Sequence, residues 1–111
     1  MILDCDNAIV TYVAGTLKEQ LVVTVDFSRR HEIKEQQSLA AVTAWQVQLN
    51  GVVTTDFSIT QPLPVNSYQA SFTLTNVSGQ LNMQYQAILQ CVFTGGSTII
   101  VAVDIQLEAP T

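Results

Sequence analysis

The residue types able to do chemistry are few in this chain, and they are scattered. His31 is the one histidine, with Ser28 and Glu32 close by in sequence. A nucleophile, a base and an orienting acid must converge in space. Arg29 to Gln37 is the most polar stretch of the chain and reads as an exposed loop, which gives no reason for such convergence. General acid–base work also needs enclosed groups with tuned pKa values. Catalysis is therefore not expected. Asp4 and Asp6 could offer oxygens to a cation, but two carboxylates without further ligands read as a solvated terminus. No cluster of His, Cys or carboxylates has metal-ligand spacing, and no Gly-rich loop follows a strand and opens a helix. No cofactor or metal is expected.

Cys5 and Cys91 are the two cysteines. Nothing at the N-terminus resembles a signal peptide, since Met1 is followed at once by Asp4 and Asp6 with no basic region. Cytoplasmic synthesis and free thiols are the expectation. Asn76-Val77-Ser78 fits a glycosylation acceptor, which matters little in a chain that is not exported. No apolar run approaches a membrane span. The net charge of −5 argues against nucleic acid, which needs a clustered basic face; Arg29-Arg30 is too small a cluster.

What the chain does show is period-two alternation. Tyr85, Ala87, Leu89, Cys91 and Phe93 share one face of a strand, and Gln84, Gln86 and Gln90 share the other. After Gly95-Gly96, Ile99, Val101, Val103, Ile105 and Leu107 alternate with Asp104, Gln106 and Glu108. Two such runs about a Gly-Gly turn predict a hairpin. Leu21, Val23, Val25 and Phe27 predict another strand, and Tyr68, Ala70, Phe72 and Leu74 one more. Leu39 to Asn50 is read with Ala41, Thr43, Trp45, Val47 and Leu49 inward and Gln46, Gln48 and Asn50 outward. Trp45 is then a buried core aromatic. Asn50-Gly51 predicts a type I′ turn. Gln61-Pro62-Leu63-Pro64 is read as a connector, because prolines lack ladder donors.

With no long helical pattern, these strands predict an all-β fold: an immunoglobulin-like antiparallel β-sandwich of about seven strands with an N-terminal strand or arm. The sandwich is expected over residues 18–111 and the arm or edge strand over residues 1–17. A chain of 111 residues makes one domain with a core of its own. Tyr85 opens the penultimate strand after a Gly-containing loop, where a tyrosine corner occurs in such sandwiches, with the phenol bonding back to upstream backbone. Ala87 stands where antibody domains carry the second core cysteine, so the inter-sheet disulfide is not expected. An ordinary buried tyrosine also fits this position.

Charged residues make up 12% of the chain, about half the usual share, and beyond Gln36 only Asp56, Asp104 and Glu108 are charged. Neutral amides and hydroxyls cost less to desolvate than Lys or Glu, which suits a subunit of a large assembly. The same composition suits an ordinary β-protein with a Thr/Gln-rich solvent face. Residues placed to meet a partner are Ile9 and Tyr12 on the β-prone N-terminal segment, Arg29 and Arg30, and the outward glutamines Gln46, Gln48, Gln86 and Gln90.

From Val23 onward the chain resembles the single Ig-like domains of tailed-bacteriophage virion proteins, notably the small fibre–tail adaptor family. The resemblance is carried by Val25-Asp26-Phe27-Ser28, Ser38-Leu39, Asn50-Gly51, the Tyr85 strand, Thr94-Gly95-Gly96 and Gln106-Leu107-Glu108. It implies a non-enzymatic structural component of the virion, synthesised in the host cytoplasm. Such a component would bind neighbouring capsid, tail or fibre subunits, and it would be a homo-oligomer in the assembly. An N-terminal addition also suits a head cement or decoration protein. The alternative is a carbohydrate- or cell-surface-binding sandwich. Sugar platforms display exposed aromatics, whereas Trp45, Tyr68, Phe72, Tyr85 and Phe93 all fall on inward faces, leaving Tyr12 as the main exposed one.

Overall fold

The computed structural model describes residues 2–5, 9–13, 20–28, 38–80 and 83–108; for residues 10–13, 107 and 108 it is the backbone that is described. Among the described residues every regular element is a strand: β1 (Ile2–Asp4), β2 (Ile9–Val13), β3 (Gln20–Asp26), β4 (Leu39–Leu49), β5 (Val52–Val53), β6 (Phe57–Ile59), β7 (Leu63–Asn66), β8 (Gln69–Asn76), β9 (Tyr85–Phe93) and β10 (Thr98–Glu108). One sheet has the order β1-β3-β8-β6, with β7 also on β8; the other has the order β2-β10-β9-β4-β5. Most pairings are antiparallel, and the two sheets pack as a sandwich. The order is consistent with an immunoglobulin-like arrangement, in which first, second, fifth and fourth strands share one sheet and third, sixth and seventh the other.

Alternation sets the core as the sequence predicts. Val23, Val25, Ala70, Phe72, Leu74, Tyr85, Leu89, Phe93, Val101, Val103 and Ile105 are all buried. Phe27 of one sheet meets Phe93 of the other edge-to-face, centroids 5.3 Å apart. Neither cysteine is in a disulfide, and both are buried. Burial pushes the Cys91 thiol up to about 12, with Cys5 adding a smaller push in the same direction. The turns also follow their residues. Asn50 and Gly51 have φ of 51° and 83°, the pair of positive values a type I′ turn requires, and β5 folds back on β4. Gly95 and Gly96, φ 91° and 96°, close the β9–β10 hairpin.

Three expectations are corrected. The inward face of β4 does not run through Ala41 and Thr43, whereas Trp45, Val47 and Leu49 face the core as read. Its register against β9 shifts twice, between Leu39 and Ala41 and between Val42 and Ala44. Each β-bulge inserts one extra residue and reverses the alternation. Leu39, Val42 and Val47 are therefore the buried positions, while Thr43 is exposed and Ala41 half-buried. Trp45 does face the core, but it is only partly buried and packs against the rim of the cluster. The proline connector includes a short strand. Pro64 lies in β7, whose four side chains are all exposed and which pairs with β8 alone, an edge position where a missing donor is tolerated.

The N-terminal segment forms two strands that add to opposite sheets of its own sandwich. β1 pairs with β3, and β2 pairs with β10; both pairings are parallel, unlike the antiparallel ladders predicted throughout. The Cys5 amide, just after β1, donates to the Asp26 carbonyl at 3.0 Å.

Candidate functional site

The outer face of the β2-β10-β9-β4-β5 sheet brings together most of the residues the sequence placed to meet a partner. Register puts Gln48 opposite Gln86, and Gln86 opposite Asp104. Val53 lies beyond Gln48, and Ile9 beyond Asp104. One row thus crosses all five strands: Val53, Gln48, Gln86, Asp104, Ile9. Its ends are exposed aliphatics and its middle is polar; Val53 is 61% exposed and Ile9 42%. A second row holds Gln46, Ile88 and Ala102, and a third Ala44, Gln90 and Ile100. Neighbours across a row stand about 4.8 Å apart, and same-face neighbours along a strand about 6.8 Å. Gln46, Gln86 and Gln90 are exposed, and Gln48 is half-buried. The Tyr12 side chain, Arg29, Arg30 and His31 lie outside the described residues.

At the β4–β5 turn end this face dips into an open concavity of about 680 Å³. Gln48, Asn50, Gln84, Gln86, Asp104 and Gln106 line it, with Met83 beside them. Nε2 of Gln86 donates to Oδ1 of Asp104 at 2.8 Å. Asp104 is the one charged group in the lining among the described residues. Amides neither gain nor lose protons near neutral pH, so the glutamines and Asn50 of the lining can bind by hydrogen bonds but cannot act as general acids or bases. No group of three or more His, Cys, Asp or Glu able to hold a metal occurs among the described residues.

A partly buried network centred on Tyr85 lies at this end of the sandwich. The Tyr85 ring packs edge-to-face on Phe57, centroids 4.8 Å apart. Its hydroxyl donates to Oδ2 of Asp56 at 2.7 Å and accepts the Gln80 amide at 3.1 Å. The bond to Gln80 is the upstream backbone contact expected of a tyrosine corner. The Asp56 carboxylate is an addition that sequence reasoning missed. Asp56 Oδ1 accepts the Ser78 hydroxyl at 2.9 Å, and its carbonyl accepts the Val77 and Ser78 amides at 3.0 and 2.9 Å. The Asp56 amide donates to Oγ1 of Thr54 at 3.2 Å. The Tyr85 hydroxyl, then that of Ser78, holds the Asp56 carboxyl below its ordinary range against the opposing effect of burial. Burial, then the Asp56 hydrogen bond, pushes the Tyr85 phenol up.

Asn76 is a buried polar residue, and its Oδ1 accepts the Gly79 amide at 2.8 Å. A Cβ on Gly79 would sit 2.8 Å from that oxygen and 2.8 Å from the Phe57 ring, so the loop needs glycine for closeness of approach. The signal for Asp56 was its isolation: it is one of three charges after Gln36, and a lone carboxylate between turn residues invites a search for a donor.

Comparison with protein-family models, with curated proteins and with solved structures finds no match for the chain.

Proposed function

We propose that this chain is a non-enzymatic, protein-binding β-sandwich of a virion, and that the outer face of the β2-β10-β9-β4-β5 sheet docks on neighbouring structural subunits. The observation that carries the reading is the composition of that face. Gln46, Gln48, Gln86 and Gln90 sit among Ala44, Ile88, Ile100 and Ala102, with Asp104 the one charge on its rows. Ile100, beside Gln90, is 66% exposed on this face. Such a surface loses little free energy when water leaves it, and the interspersed amides supply directional bonds. The resemblance to Ig-like virion domains points to capsid, tail or fibre subunits as the neighbours, in an assembly that repeats this chain.

The carbohydrate alternative draws on the amide-lined concavity, since carboxamides and a carboxylate suit hydroxyl groups. It lacks an aromatic platform: none of the exposed large apolar side chains among the described residues is aromatic. The test is occupancy on intact particles, read by gel densitometry after assembly with Gln46→Lys or Gln90→Lys. Both side chains are exposed, so folding should be untouched. Occupancy should fall several-fold, because each lysine brings a charge that the interface must desolvate. Full occupancy with both variants would sink the reading.

A further inference from the structure

We propose that the concavity at the β4–β5 turn end is a receptor for an arginine side chain presented by the docked partner protein. The inference rests on the docking role of this face and adds the chemistry of what docks there. It begins from Asp104. One carboxylate oxygen is held by Gln86 at 2.8 Å, and the other has no protein partner among the described residues. While the face is wet, water satisfies that oxygen. A partner that covers the face removes the water, and a buried carboxylate without a counter-charge or full hydrogen bonding is strongly unfavourable. A neutral apolar partner surface would therefore be rejected at this point.

The surroundings select the kind of cation. The side-chain amides of Gln48, Gln84 and Gln106 make no hydrogen bond to the protein among the described residues. Their carbonyl oxygens are acceptors that share the lining with the carboxylate. A guanidinium has five donors in a planar fork: it can use one edge on Asp104 and the rest on amide carbonyls. An ammonium has three donors about one point and is more strongly hydrated. The opening of about 680 Å³ admits a whole side chain. Exposed Val53 and Met83 stand near it and can cover the aliphatic stem and its neighbours.

A second copy docking by the same face does not meet this need. The chain's four basic residues are Lys18, Arg29, Arg30 and Lys34, and none lies on β4, β9 or β10. Two copies face to face would bring two Asp104 carboxylates and no cation from these strands.

The test titrates the ¹⁵N-labelled full chain with N-acetyl-arginine methylamide at low ionic strength, beside the lysine and glutamine analogues and maltose. Saturable shifts are expected on the side-chain amides of Gln48, Gln84 and Gln86, stronger for arginine than for lysine. Asp104→Asn should weaken them at least about fivefold, since the charge-assisted pair is lost. Gln106→Lys, with its exposed ammonium in the lining, should do the same without touching Asp104. Equal shifts with the glutamine analogue or maltose would overturn the proposal in favour of a neutral polar site. Undiminished binding in Asp104→Asn, or no saturable shift at all, would also overturn it. Arginine binding with full particle occupancy in the Gln46 and Gln90 variants would uphold the receptor and remove the docking role. Loss of occupancy without arginine binding would remove the receptor alone.

Discussion

Replacing Tyr85 by Phe isolates the hydrogen bonds at the tyrosine corner from its packing. The ring is kept, so its burial and its contact with Phe57 remain. The variant loses the 2.7 Å bond to Asp56 and leaves the Gln80 amide without its acceptor. A hydrogen bond to a charged group contributes about 1.5–3 kcal/mol. Asp56 is half-buried and keeps its bonds from Ser78, and exposed Gln80 can turn to water, so the lower part of that range applies. The expected loss is about 1.5–2 kcal/mol, or about 6–8 °C in Tm for a domain of this size. Urea titration followed by Trp45 fluorescence, at a series of pH values, measures it.

The pH dependence is the sharper part of the prediction. The folded-state Asp56 carboxyl titrates below its ordinary range, and the Tyr85 hydroxyl is the first cause. A depressed carboxyl contributes stability that is present above the unfolded value and is lost as pH falls through the folded one. The wild-type chain should therefore lose this contribution below about pH 4, while Tyr85→Phe has less to lose. The gap between them should be full at pH 7 and shrink towards pH 3. A loss under about 0.5 kcal/mol at pH 7, or a gap that does not change with pH, would refute the charge-assisted bond.

Other outcomes follow from single observations. Gly79→Ala should cost about 1–3 kcal/mol in a urea melt, because a new methyl would press on Asn76 and Phe57; a cost near zero would show that the loop yields freely. The Cys91 thiol, pushed up to about 12, should resist an aromatic disulfide reagent at pH 8 in the folded chain, and both cysteines should react once urea unfolds it. Rapid reaction of two thiols without urea would contradict their burial. Deleting residues 1–13 should bare the edges of β3 and β10 and remove buried Cys5. Lower stability and concentration-dependent self-association by light scattering are expected, and an unchanged monomer would show that both added strands are dispensable.

The sequence by itself determined the strands whose inward and outward positions alternate without interruption. In β3, β8, β9 and β10 the side-chain period is a local property, and burying one face leaves one register per strand. The Asn50-Gly51 turn was legible for the same local reason, since few residue pairs accept two positive φ values. So was the place of Tyr85, just after a loop and at the start of a strand. Tertiary structure alone decided the rest. The two bulges in β4 are set by the fit of Leu39, Val42 and Trp45 against β9, and an inserted residue leaves no mark in a run of Ala, Val and Thr. Gln46 and Gln48 meet Gln86 and Gln90 only because β4 and β9 are neighbours across some forty residues of chain. Alternation says which way a glutamine points but not which strand lies beside it. Asp56 finds Tyr85 by the same long-range closure. The split of the N-terminal segment between two sheets is set by which edges the finished sandwich leaves open, and those edges exist only once the other strands have paired.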